Sequence, residues 1–232
     1  MGGNVFVVDK PSSKHIGYMS DVYRLRHKVF CEDKAWVPTN KERQEVDLYD
    51  RLNAVHFIHV DEAGKVDGCC RILPSTGPNM LRDIFPELMG NQPIPSGQTI
   101  WEISRFTVDT ERLNDSYTTI SHVTSELLIA LFRYAVAHEI NTIIAVTDTA
   151  FERILRRAGL YTVRYAPPRK FHNCEAVAGY AAANEETIRL LEERQEKNQR
   201  RHFKSYEQEA QKPNQIEVRS AFQIQQEEKH IA

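Results

Sequence analysis

The run Ile100-Trp101-Glu102-Ile103-Ser104-Arg105-Phe106, leading into Thr107-Val108-Asp109, constrains the fold more than any other stretch. Its branched and aromatic residues predict a strand. A packed strand has no ordinary place for a carboxylate and a guanidinium, because burying either ion unpaired is costly. Two readings are open: an edge strand with solvated charges, or a central strand beside a polar pocket. On a regular strand Glu102, Ser104 and Phe106 share one face, and Trp101, Ile103 and Arg105 share the other. Glu102 and Arg105 meet in one pocket only if the strand is bulged or splayed between them. Bulges recur beside active sites, so one is expected near Ser104.

The 232 residues suit one domain of ordinary size with an appendage. Thirty basic side chains against 32 acidic give no global electrostatic case for nucleic acid. No apolar run approaches the roughly 18 residues that insert in a membrane, and no secretory signal is visible at the N-terminus, so a cytoplasmic location is expected. Cys31, Cys69, Cys70 and Cys174 lack metal-like spacing and read as buried thiols of a reducing compartment. Cys69 and Cys70, adjacent in a strand, should point to opposite faces. No metal site and no cofactor are expected.

Apolar residues recur at helical spacing from Ile16 to Cys31, placing Arg26 and Phe30 on one face. A polar stretch from Glu32 to Arg51 carries Trp36 and the carboxylates Glu45, Asp47 and Asp50; its tryptophan covers either an apolar floor or a planar ligand, unless the stretch is a surface excursion. Ala54–Val60 and Val66–Leu73 read as a hairpin turning at Ala63-Gly64, with Arg71 as a second misplaced cation. A short helix is expected within Asn79–Leu88, broken at Pro86. Ser116–His138 is the longest helix, capped by Asp115 or Ser116. Thr142–Thr147 is a strand covered on both faces. Thr149-Ala150-Phe151-Glu152 fits a capping box for a helix closing at Gly159, with Arg153, Arg156 and Arg157 outward. Leu160–Tyr165 and Ala176–Ala182 complete the strands. Beyond Asn184 the composition turns polar. The expectation is one α/β (α+β) domain over residues 1–183 with a mixed sheet, and a polar helical tail over 184–232, disordered from about Pro213.

Collected, the misplaced ions are Arg26, Asp47, Asp50, Arg71, Glu102 and Arg105, three of each sign, as a partly buried pocket requires. In order, Arg26-x-x-x-Phe30, Trp36, Asp47-x-x-Asp50, Gly68-Cys69-Cys70-Arg71, Phe85 and Glu102-Ile103-Ser104-Arg105-Phe106 resemble the acyl-homoserine-lactone synthases, the bacterial autoinducer synthases. The match runs from about Tyr23 to Gly159.

The resemblance implies an N-acetyltransferase-like twisted mixed sheet flanked by helices, its central strands splayed to admit an acyl chain. It also implies S-adenosylmethionine as a substrate and an acyl thioester, usually on acyl carrier protein, as the other. The Gly-rich loop with which coenzyme A acetyltransferases hold pyrophosphate is not evident: the chain reads Asp109-Thr110-Glu111-Arg112-Leu113-Asn114-Asp115 there. Expected roles are catalysis for Glu102, Arg105, Arg71, Asp47 and Asp50, with Glu102 as the base or as no more than an ion-pair partner. Arg26, Phe30, Trp36, Phe85 and Arg105 are candidates for S-adenosylmethionine. Phe85, Trp101, Leu128, Ile144, Val146 and Leu155 are candidates for the acyl chain, although each suits plain core, and Thr147 resembles a position where family members favouring a 3-oxo chain carry threonine. Arg153, Arg156, Arg157, Arg164, Arg169 and Lys170 offer a basic face to an acidic carrier protein, or an ordinary solvated surface. Two other readings stand beside this one: a coenzyme A-dependent N-acyltransferase on another amine, and a non-catalytic protein acting through its C-terminal helix.

Overall fold

A computed structural model describes residues 3–10, 13–112, 120–171 and 173–210. The chain divides into two compact units, Met1–Gln195 and Glu196–Ala232, and the sheet belongs to the first. Eight strands form it: β1 (Asn4–Val8), β2 (Val55–Val60), β3 (Val66–Pro74), β4 (Ile100–Val108), β5 (Thr142–Asp148), β6 (Val163–Arg164), β7 (Arg169–Phe171) and β8 (Cys174–Ala182). Their order is β1-β2-β3-β4-β5-β8-β6, with β7 also on β8. Among the described residues only the β4–β5 pair is parallel.

That pair carries the functional geometry. Pairing runs from Ile100↔Thr142 to Ile103↔Ala145 and stops, although both strands continue. Beyond Ile103 the two central strands part into a V. On the other side of β4 the β3 register slips between Cys69↔Thr107 and Arg71↔Ser104, so β4 carries one extra residue. Arg105, with φ 55°, is in the left-handed region at this bulge. The bulge expected near Ser104 is therefore present. The alternation of faces resets across it, and Phe106 and Val108 join Trp101 and Ile103 on one apolar face.

Each face of the sheet has its own cover. The helix α3 (His122–Ala137) packs Val123, Leu127 and Leu131 against Phe57, Cys70 and Ile72. Gly68 allows the closest approach, since a Cβ there would collide with Val123 Cγ1. On the opposite face α1 (Met19–Arg26) sets Met19, Val22 and Leu25 against Ile58 and Cys69. Cys69 and Cys70 do point to opposite sides. A third apolar group joins Leu81 of the one-turn helix α2 (Met80–Asp83) and Leu88 of the 3₁₀ turn Pro86–Met89 to Ile144, Ala176 and Ala178.

Several boundaries differ from those expected of the sequence. Helical structure from Ile16 passes through a 3₁₀ turn and α1, then widens into a π-helix over His27–Asp33, an irregularity often found at functional sites. The described part of α3 begins at His122 under a Ser121 cap, while Asp115 and Ser116 lie outside the described residues. The helix α4 (Thr149–Arg157) is capped by Asp148, one residue before the expected box: its carboxylate accepts from the Phe151 N–H at 2.6 Å. Strand β1 is additional to the strands expected, and the expected 160–165 strand is reduced to Val163–Arg164. The helix α5 (Glu185–Ala210) is not wholly solvated at its start, for Ile188 and Leu191 are buried in the main core. The disordered end expected from Pro213 lies outside the described residues. Among the described residues no helix is long and apolar enough to cross a membrane.

Candidate active site

Three arginines and three carboxylates interlock under the V. Arg26 is buried, its Nη1 2.7 Å from Asp50 Oδ1, and its Nε donates to Glu45 Oε2 at 2.5 Å. Arg71, also buried, gives Nη1 to Asp47 Oδ1 at 2.5 Å and to Asp50 Oδ1 at 2.7 Å, and Nε to Ser104 Oγ at 3.1 Å. Arg105 Nη2 lies 2.8 Å from Glu45 and 2.9 Å from Asp47. Every carboxylate bridges two arginines, so the charges cancel and each ion is hydrogen-bonded, the condition under which buried ions are tolerated. Burial alone would raise the Asp50 carboxyl, but its bonds to Arg26 and the nearby Arg71 outweigh this and hold it well below the usual range. Local structure prepares these partners: Asp47 caps the 3₁₀ turn Leu48–Arg51, and its own N–H donates to Asp50 at 2.8 Å.

Glu102 stands apart from this network. Its two oxygens accept the N–H groups of Met80 at 2.7 Å and Leu81 at 2.6 Å, at the start of α2. No arginine hydrogen-bonds it among the described residues, so the sixth ion of the network is Glu45 instead. Desolvation dominates its titration; against the lowering pull of those two N–H groups and of Arg71, it pushes the carboxyl up to about 7.

Both sets meet a cleft of about 650 Å³ that opens between the parted strands. At its polar end stand Glu102, Asp47 and Arg105, with Phe30, Trp36 and Phe85 around them. Arg105 lies over the Phe30 ring at 5.3 Å, and Phe30 stacks on Trp36 at 6.2 Å. Its apolar end reaches Val146, Thr147, Leu128, Phe132, Phe151 and Leu155.

Other expected residues sit elsewhere. Arg26, Arg71 and Asp50 do not line the cleft; they lie beneath it, their groups already engaged by neighbouring ions. Ile144 belongs to the apolar group with Leu81 and pairs with Glu102 where β4 and β5 are still closed, whereas Val146 on the same side lines the cleft. Trp101 packs on the α3 face, paired with β5 at a level where the strands are still closed. Arg153, Arg156 and Arg157 are exposed on α4, and Arg169 and Lys170 on β7, whereas Arg164 is tied to Glu152. Glu45, Lys34, Met80 and Phe132 join the site without having been candidates for it. Glu45 was one of several carboxylates in an irregular segment, and no periodicity set it apart.

A family model described as autoinducer synthase matches residues 12–191. The chain belongs to the autoinducer synthase family. An acyl-homoserine-lactone synthase of Aliivibrio fischeri is 38% identical over 151 residues, covering 62% of this chain and 77% of that protein. The structure of TofI, in a ternary complex with an inhibitor and MTA, is 27% identical with a TM-score of 0.69, over 82% of this chain and 96% of that one. BjaI, a CoA-dependent acyl-homoserine lactone synthase solved with SAM and isopentyl-CoA, has a TM-score of 0.74 over 84% and 90%; at 24% identity it shows the fold alone. The same holds for an acyl-CoA N-acyltransferase from Pseudomonas aeruginosa, 11% identical at TM-score 0.50 over 78% and 100%. This autoinducer synthase is thus an acyltransferase built on the sheet of the N-acyltransferases.

Proposed function

We propose that the enzyme makes an N-acyl-homoserine lactone from S-adenosylmethionine and an acyl thioester carried by acyl carrier protein. The observation that carries this reading is Glu102: a buried carboxyl raised to about 7 at the polar end of a cleft whose other end is apolar. A model α-ammonium titrates near 8, so such a carboxylate is well matched to remove its proton, directly or through one water. The freed nitrogen attacks the thioester carbonyl, the C–S bond breaks, and the thiol departs. Backbone N–H groups along β4 beyond Ile103, where β5 no longer pairs, are the donors for the oxyanion. In the second step the methionyl carboxylate oxygen attacks its own γ-carbon. The C–S⁺ bond breaks and neutral methylthioadenosine leaves, a step that needs mainly a folded substrate.

Phe30 and Trp36 would cover the adenosine and sulfonium, where cation–π attraction operates, with Phe85 beside them. Arg105 would take the carboxylate and Asp47 favours the cationic end. Arg26, Arg71 and Asp50 then act as positioning residues that hold Arg105 and Asp47 in place. The acyl chain would pass the V towards Leu128 and Leu155, and on a 3-oxo chain the Thr147 hydroxyl would be the donor to the C3 oxygen.

Charge favours a carrier protein over coenzyme A. After β4, Asp109 and Glu111 hold Lys28 at 3.0 and 2.8 Å, and a pyrophosphate placed there would meet both carboxylates. The exposed Arg153, Arg156, Arg157, Arg169 and Lys170 suit an acidic protein. The test is incubation with S-adenosylmethionine and matched acyl-carrier-protein or acyl-coenzyme A donors. Equal release of methylthioadenosine and lactone with the protein donor is expected. Thioester loss with no methylthioadenosine would point instead to acylation of another amine.

A further inference from the structure

Among the described residues two cations line the cleft, and they differ in kind. Arg105 is 12% exposed and held by two carboxylates at 2.8 and 2.9 Å. Lys34 is 39% exposed, and the carboxylate nearest it in the ion pairs is Asp148 at 3.5 Å. That carboxylate is already engaged as the cap of α4. The Lys34 ammonium also stands over the Trp36 ring, 4.3 Å from its centre, which sets its direction without neutralising it.

Its place in the fold decides what it serves. Asp148 ends β5, three residues past the last β4–β5 pair at Ala145, about 10 Å further along the V. The ammonium thus hangs towards the open end of the V, at the outer side of the Trp36 ring. In the proposed reaction the acyl chain and thioester occupy the V, and the rest of the donor must leave through this mouth. In either donor that remainder is a pantetheine arm ending in a phosphate ester, an anion that competes well with a loosely held carboxylate.

We propose that Lys34 receives the phosphate of the donor's pantetheine arm, exchanging Asp148 for it, and so positions the thioester in the V. No covalent step is involved. The inference rests on the proposed function, and the test separates the two. Turnover of S-adenosylmethionine to lactone is measured with free 4′-phosphopantetheine or with pantetheine as competitor, in the wild type, Lys34→Gln and Lys34→Arg. In the wild type the phosphorylated competitor is expected to inhibit about tenfold more tightly, the weight of one charge-assisted contact near 1.4 kcal/mol. Lys34→Gln should erase that difference and Lys34→Arg should restore most of it, whatever either change does to KM for S-adenosylmethionine through Trp36. Equal inhibition by both competitors in the wild type or an undiminished difference in Lys34→Gln would overturn it. Lactone formation in those same assays keeps the proposed function standing whatever Lys34 does, while its absence with every donor removes both.

Discussion

Glu102 and Arg105, three residues apart on β4, both face the cleft because Arg105 sits at a bulge with φ 55°. A regular strand would send them to opposite faces. The bulge joins the base candidate to the ionic network while keeping the two chemically separate: Glu102 is held by backbone N–H groups, Arg105 by carboxylates. Changing Arg105 to Lys removes the fork that spans Glu45 and Asp47. Turnover should fall roughly a hundredfold, the scale of a small misplacement in an oriented site. Steady-state kinetics on the folded variant checks this, and near-wild-type rates would remove Arg105 from the site.

Glu45 should matter as much as the residues the sequence singled out. It bridges Arg26 and Arg105, and Glu45→Gln leaves two guanidiniums short of a counter-charge in a buried place. The expected loss is on the order of 3 kcal/mol in urea unfolding, together with a drop in turnover. A variant as stable as the parent would show that the network is far more solvated than its geometry implies.

A second buried ionic group lies away from the cleft. His59 is fully buried between Asp67 Oδ1 at 2.5 Å and Glu126 Oε2 at 2.9 Å. Burial alone would lower its pKa, but the two carboxylates outweigh it and raise the imidazole to about 9, from an ordinary 6.5. The folded state therefore binds a proton that the unfolded chain has lost. The resulting stability is complete below pH 6.5 and disappears as pH rises through 9, about 3 kcal/mol in all. Urea midpoints from pH 6 to 9.5 should fall, and His59→Gln should flatten the decline.

Docking by charge has its own signature. If Arg153, Arg156 and Lys170 meet an acidic carrier protein, KM for the acyl-protein donor should rise with added salt while KM for S-adenosylmethionine changes little, since separated charges lose contact beyond about 8 Å at physiological ionic strength. Arg156→Glu should mimic the effect. Insensitivity to salt would argue against this face.

Much of the site was legible because ions stand out in strands. Arg71 and Glu102 interrupt apolar runs, and the demand that Glu102 and Arg105 share a pocket led directly to the bulge. Leu128, Val146 and Leu155 were legible as an apolar lining, whereas Trp101 and Ile144 show the limit. Which face of a strand meets a void depends on where pairing stops, and no residue pattern marks the end of the β4–β5 ladder at Ala145. Lys34 was hidden for a different reason: its neighbours Trp36 and Asp148 are distant in chain or lie in irregular backbone, so only folding assembles them.

The most direct test of the central claim is the pH dependence of single-turnover acyl transfer in the wild type and Glu102→Gln. The wild-type rate should climb as pH passes about 7, where Glu102 loses its proton. Glu102→Gln should lose that limb and be slower by a factor on the order of 10² to 10⁴. A variant that keeps both the rate and the limb would show that Glu102 does not take the proton.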